Sequence, residues 1–264
     1  MIYLDYNATA PIRPDVRQAM RPFLDEAFGN ASSLHSKGRQ ARAAVENVRV
    51  LCLRALGDPQ GQLVFTSGGT EADNLAIQGV ARELRLKGDE VIISSIEHNA
   101  VLNAAQAAAQ EGFQVKVVPV DPHGVVDLKV LEKTITPRTI LISVMHANNE
   151  VGTIQPIERI ARMARPPNVL FHTDAVQSFG KLPLDAPALG ADLVSISAHK
   201  LGGPKGSGAL YLRQGLKIQP LLHGGPHEHG LRAGTESVAG IVGLGAALEA
   251  TLKEKGNGTL ERIH

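Results

Sequence analysis

The chain has 264 residues, 43% hydrophobic and 20% charged, enough to bury a full core in one large α/β domain or in one domain with part of a second. Lys and Arg number 27 against 26 Asp and Glu, so the formal charge of +1 gives neither a basic stripe for nucleic acid nor a polybasic run for an anionic membrane. Aromatics are 3%, Trp is absent and Cys52 is the single cysteine, which excludes a base-stacking platform, an intramolecular disulfide and a Cys-rich metal site.

The opening MIYLDYNATAP lacks the charged and apolar regions of a signal peptide, and no apolar run approaches the roughly 20 residues of a membrane span, so a cytoplasmic protein is expected. Residues 37–56 read as one long helix, with Val45, Val48, Leu51, Ala55 and Leu56 on its apolar face. Cys52 falls on that face and is expected in the core. Short apolar runs at 63–66, 90–94, 114–118, 139–144, 169–173, 192–197 and 208–212 then predict strands. Between most of them lie amphipathic stretches at 71–86, 100–110, 128–134 and 156–163, and 236–253 reads as a last helix. Beyond it, 253–258 is polar and reads as a linker or a frayed end. Strands alternating with helices imply crossovers and a mostly parallel sheet, which binds ligands beyond the carboxyl ends of its strands.

Polar residues collect at those ends. Thr66-Ser67-Gly68-Gly69-Thr70 follows the first strand and opens a helix, a seat for a phosphate or an ordinary turn with Thr70 as N-cap. Glu97 and His98 follow the second strand; Asn148 and Asn149, Asp174, and His199-Lys200 follow three others. Five such placements exceed what chance supplies. Asp174, after a buried strand, needs a partner: it either caps a neighbouring helix or faces a protonated pyridine nitrogen. Lys200 lies between an apolar strand and the loop Leu201-Gly202-Gly203-Pro204, where a lysine can lose its proton and attack an aldehyde. Ser197 and His199 beside it offer hydrogen bonds to a phosphate. His98 is an ordinary loop histidine or a flat ring stacked on a cofactor. His223, His227 and His229 gather near Glu228 but have no second cluster at ligand spacing, so no metal is expected.

Taken together, these segments resemble the cysteine desulfurases of the NifS/IscS type, among the class V aminotransferase-like pyridoxal-phosphate (PLP) enzymes. The matching stretches are 4–9, 28–35, 66–75, 97–101, 145–152, 172–177, 197–208 and 223–235, in the family's order. The resemblance implies the aspartate-aminotransferase-like fold (fold type I), an α/β large domain with a mostly parallel central sheet flanked by helices. It divides the chain into an N-terminal segment 1–13, a PLP-binding domain 14–250 and the start of a small second domain at 251–264. It also assigns roles. Lys200 would hold pyridoxal 5′-phosphate as a Schiff base, Asp174 would pair with its ring nitrogen and His98 would stack on the ring. Asn149 and Gln177 would contact its phenolic oxygen and neighbouring substituents. Gly69, Thr70, Ser197 and His199 would bind the phosphate, and Thr235 would reach the phosphate of the other subunit of a homodimer. The implied reaction takes sulfur from L-cysteine, leaving alanine and an enzyme-bound persulfide for iron–sulfur clusters and thio-cofactors, with a scaffold or sulfur-acceptor protein as a further partner. In that family the acceptor cysteine and a carboxylate-binding arginine belong to a segment beyond the stretches matched here. Two other readings stand beside this one: a selenocysteine lyase or other β-eliminating PLP lyase, and a non-catalytic PLP-binding or partner-binding remnant.

Overall fold

The computed structural model of the chain describes residues 2–165 and 168–256. Met1 of the expected N-terminal segment and residues 257–264 of the expected second-domain segment lie outside them, as do the last two residues of the polar stretch 253–258.

Two helices precede the sheet: α1 (Pro14–Asp25) and α2 (Ser36–Ala55). The sequence pattern gives little sign of α1, in which Val16 alone is fully buried and Pro22 sits in the interior. It forms because Pro14 suits a first turn and because α1 packs against α8 (Val238–Gly256). Strands and helices then alternate: β1 (Gln62–Thr66), α3 (Gly69–Leu84), β2 (Glu90–Ser94), α4 (Asn99–Gln110), β3 (Gln114–Val118), α5 (Leu128–Thr134) and β4 (Thr139–Ser143). They continue with α6 (Ile157–Ala164), β5 (Leu170–Asp174), the short α7 (Ala186–Leu189), β6 (Leu193–Ser197) and β7 (Gly208–Leu212) before α8. Each expected strand is present to within one residue at its ends.

The seven strands form one sheet in the order β1-β7-β6-β5-β4-β2-β3. β2, β3, β4, β5 and β6 pair in parallel, while β7 is antiparallel to both of its neighbours. The ten residues 198–207 between β6 and β7 are too few for a helical crossover, so the chain turns back on itself. The mostly parallel, helix-flanked sheet expected from the sequence is therefore what forms.

Both faces are covered, and side chains alternate between them along each strand. Val64, Leu141, Leu170 and Leu210 pack with Leu75, Ile77 and Val80 of α3 and Val101 of α4. Phe65, Ile142, Phe171, Ile196 and Tyr211 pack on the other side with Val45, Val48 and Cys52 of α2 and Leu244 and Leu248 of α8. Cys52 is fully buried, and burial pushes its thiol up to about 12. It is a core residue and not a nucleophile at neutral pH.

The sheet also shapes the turn that follows β1. Gly208 of β7 lies opposite Thr66, and a Cβ there would stand 2.7 Å from Gly68 Cα and 2.7 Å from Ile196 O. Gly208→Ala is therefore expected to force the 66–70 turn outward and to cost about 1–3 kcal/mol, read as a lowered Tm. An unchanged Tm would show that the turn yields freely.

Candidate functional site

The carboxyl ends of β1, β2, β4, β5 and β6 converge on a cavity of about 380 Å³. Gly69, Thr70, His98, Asn149 and Asp174 line it, as do Gln177, Ser197, His199 and Lys200. Nine of the ten residues to which the resemblance assigned cofactor roles thus share one space. Thr235 does not: it is exposed and borders a separate cavity with Ser67, Ser207 and Arg232.

One end of the space is built for an anion. A second cavity, about 340 Å³, continues from the first and is lined by Gly68, Gly69, Thr70, Ser197, His199 and Lys205. Gly68 is the N-cap of α3 with φ 151°, a backbone that favours glycine, and Ser67 and Gly68 are all that separate the strand from the helix. The first amides of α3 have no intrahelical acceptor, and the helix dipole adds positive potential. Thr70 lies within the first turn of α3 and is not its N-cap.

The other end is acidic and buried. Asp174, the last residue of β5, is 5% exposed, and its Oδ1 accepts from Val176 N at 2.8 Å. Burial raises its pKa, against the opposing influence of that N–H, of His98 and of Lys200. Lys200 lies in the 3-10 turn Ala198–Leu201 after β6. Burial lowers its pKa, with Asp174 and Asp5 acting the other way. His98 N-caps α4, its Nδ1 accepting from Ala100 N at 3.1 Å, so in the neutral ring the proton is on Nε2. Asn148 keeps its loop in place by donating to Ile96 O at 3.0 Å and accepting from Glu150 N and Val151 N, both at 2.9 Å, while Asn149 faces the cavity.

Three features of the site were assigned no role from the sequence. Asp73 of α3 lines the cavity, is 1% exposed, and its Oδ1 has no hydrogen-bond partner among the described residues. Burial and the charge of Asp174 hold its pKa well above the usual carboxylate range. A charged residue on the apolar stripe of Ala72, Ala76, Ile77 and Val80 was the signal that could have revealed it. Below it a polar row crosses the sheet: His172 is bonded to Ser143 Oγ at 2.8 Å and Ser195 Oγ at 2.9 Å, and burial pushes its pKa down to about 3. The N-terminal segment crosses the cavity. Lys200 Nζ donates to the carbonyls of Asn7 and Ala8, Gln177 Nε2 donates to Asn7 O at 3.0 Å, and His199 Nδ1 meets Thr9 Oγ1 at 3.1 Å.

The histidine-rich loop has other occupations. His227 Nδ1 accepts from Gly234 N at 3.3 Å, and Glu228 is ion-paired with Arg49 at 2.9 Å.

The model of the family described as aminotransferase class-V matches residues 2–263. The cysteine desulfurase IscS of Dictyoglomus turgidum is 51% identical over 96% of this chain, which spans 64% of that relative's length. The IscS of Methanosarcina thermophila is 49% identical over 99% of the chain, which spans 65% of it. A solved structure of a NifS-like protein superposes with a TM-score of 0.93 at 43% identity, over 97% of this chain and 71% of that one. A structure of SspA in complex with cysteine gives 0.90 at 41% identity, over 94% and 72%. The chain belongs to the class V aminotransferase family. Its members are PLP-dependent, and the cavity suits that cofactor: free amides and hydroxyls at the anion end, a buried carboxylate and a lysine amine at the other.

Glu97 makes the buried acidity testable. Its Oε1 accepts from Ser94 Oγ and from Met145 N at 2.9 Å, its Oε2 is unpartnered among the described residues, and burial raises its pKa to about 8 from an ordinary 4.5. Between those values the unfolded chain gives up a proton that the folded chain keeps, so stability falls as pH rises, by at most about 1.4 kcal/mol per unit. His172 acts oppositely, costing stability as pH falls from 6.5 toward about 3. The two offset each other between 4.5 and 6.5, and above 6.5 the difference between the parent and a Glu97 variant isolates the contribution of Glu97. Glu97→Gln should therefore gain Tm relative to the parent as pH rises from 6.5 to 8. A constant difference across that window would mean that Glu97 is ionised in the fold.

Proposed function

We propose that this member of the class V aminotransferase family is the cofactor-binding part of a cysteine desulfurase, with Lys200 as the residue that holds pyridoxal 5′-phosphate. The observation that carries the reading is the convergence of Lys200, Asp174, His98 and the amide-rich turn 66–70 on one cavity. The likeness to proteins named cysteine desulfurase, and to SspA solved in complex with cysteine, supports the substrate.

When bound, the cofactor supplies an aldehyde and an electron-withdrawing ring, and that is the difficult chemistry. The chain supplies orientation and charge. Gly69 and Thr70 amides, with the hydroxyls of Thr70 and Ser197 and the ring of His199, bind the phosphate. Asp174 has one oxygen occupied by Val176 N and can hold a proton on the ring nitrogen with the other. Lys200, with its pKa lowered by burial, would hold the cofactor through its amine and, when that amine is free, would move the α-proton of the amino acid. His98 would stack on the ring and carry protons at its Nε2, and Asn149 and Gln177 would contact the phenolic oxygen and neighbouring substituents.

The sulfur acceptor and the carboxylate-binding arginine implied by the resemblance are not provided by these residues. Cys52 is the single cysteine among the 264 and lies in the core with its pKa near 12, so the sulfur passes to a thiol outside these residues. A homodimer in which Thr235 reaches the partner's phosphate, a protein sulfur acceptor, supply of sulfur for iron–sulfur clusters and a cytoplasmic location complete the proposal. The exposed position of Thr235 is consistent with a contact across subunits. No helix among the described residues is long and apolar enough to cross a membrane.

The test is the visible spectrum of the purified chain after PLP loading and desalting. The parent should retain a visible band that shifts on adding L-cysteine, and Lys200→Ala should lose it. Asp174→Asn should weaken cofactor retention by about ten- to a hundredfold, as expected for a charge-assisted hydrogen bond. A parent that retains no cofactor, or a Lys200→Ala variant that keeps the band, would sink the reading.

A further inference from the structure

β1 is an edge strand of the sheet, and unpaired peptide groups on such an edge invite another strand. Two side chains close it. Arg49 of α2 donates to Leu63 O, and Glu228 Oε2 accepts from Phe65 N at 2.7 Å. Leu63 and Phe65 are two residues apart, so their peptide groups point to the same side of the strand. Arg49 Nη1 and Nη2 each meet a Glu228 oxygen at 2.9 Å, with the side chains only 9% and 3% exposed. The guanidinium also stacks on Phe65, 4.7 Å from the ring centroid. A bidentate ion pair thus takes the place of an eighth strand.

Glu228 belongs to the loop between β7 and α8, where it and His229 adopt φ of 47° and 58°. Left-handed backbone at two successive non-glycine residues costs about 1–3 kcal/mol each and persists only where surroundings fix it. The clasp fixes it. Four residues on, Arg232 Nε donates to Glu71 Oε1 at 2.8 Å. Glu71 Oε2 accepts from Ser67 N at 2.8 Å, and the residue lines the anion cavity. Its carboxylate suits the start of α3 but repels a phosphate bound there, and Arg232 cancels that charge.

We infer that Glu228 is a positioning residue for the phosphate end of the site. By clasping the β1 edge together with Arg49, it holds the loop where Arg232 neutralises Glu71 and where Thr235 faces outward. The inference rests on the PLP reading above.

The experiment measures dissociation constants for PLP and for pyridoxal, which lacks the phosphate, by equilibrium dialysis of the parent, Glu228→Gln and Arg232→Gln chains. Melting curves confirm that each variant is folded, and hydrogen exchange is read at the Phe65 amide. Glu228→Gln should weaken PLP by about two- to fivefold, leave pyridoxal unchanged and expose the Phe65 amide while Val64 stays protected. Arg232→Gln should reproduce the phosphate-selective loss with Phe65 still protected, and it decides the matter if Glu228→Gln does not fold. Equal losses for both ligands, or none for either, in a folded variant overturn the inference while the PLP site stands. A parent that binds neither ligand brings down the site and the inference together.

Discussion

A carboxylate buried at the end of a parallel sheet can be charged only where donors or cations face it, and the site is organised around that constraint. Three acids, Asp73, Glu97 and Asp174, are buried at or near the cavity, and the charge of Asp174 disfavours ionisation of the other two. Asp174 alone has an N–H donor together with His98 and Lys200 nearby. Glu97 instead spends its contacts on Ser94 and Met145 N, holding the β2 and β4 ends together, and its pKa stays high. Asp174 is thus the acid of the three whose charged form neighbouring basic groups favour against burial, and it faces the cavity where a cationic ring would sit.

The opposite end of the cavity answers with positive potential from backbone and not from clustered side-chain cations. The α3 amides serve an anion because Gly68 lets the strand turn into the helix with only Ser67 before it, and Gly208 leaves room for that turn. Glu71 is the apparent contradiction, an acid at an anion seat. It is reconciled by its bonds: it orders Ser67 and is covered by Arg232 from a loop far along the chain. The edge clasp, the loop and the seat are therefore one connected piece of structure.

Much of this was open to reading from the sequence. All seven strands follow from apolar runs bounded by polar residues, and the polar residues after them mark the cavity. Asp174 and Lys200 stood out because each follows a run too apolar to end in a charge by accident. What escaped has physical reasons. α1 lacks a broad apolar stripe and depends on α8, which lies more than two hundred residues later. Asp73 is one acid in an otherwise ordinary helix, and only the neighbouring Asp174 gives it meaning. Glu228 reads as a member of a histidine-rich loop until Arg49, on α2, is seen beside it.

The sequence by itself determined the strands and most of the helices, the mostly parallel sheet, the family and the residue types gathered at the strand ends, because periodicity and local turn chemistry are written in adjacent residues. The tertiary structure alone decided the antiparallel course of β7, the lie of residues 5–9 over Lys200, the raised pKa values of the buried acids and the clasp on β1. Each of these depends on groups far apart in the chain meeting in a low-dielectric interior, where their interaction energies grow and their solvation is lost.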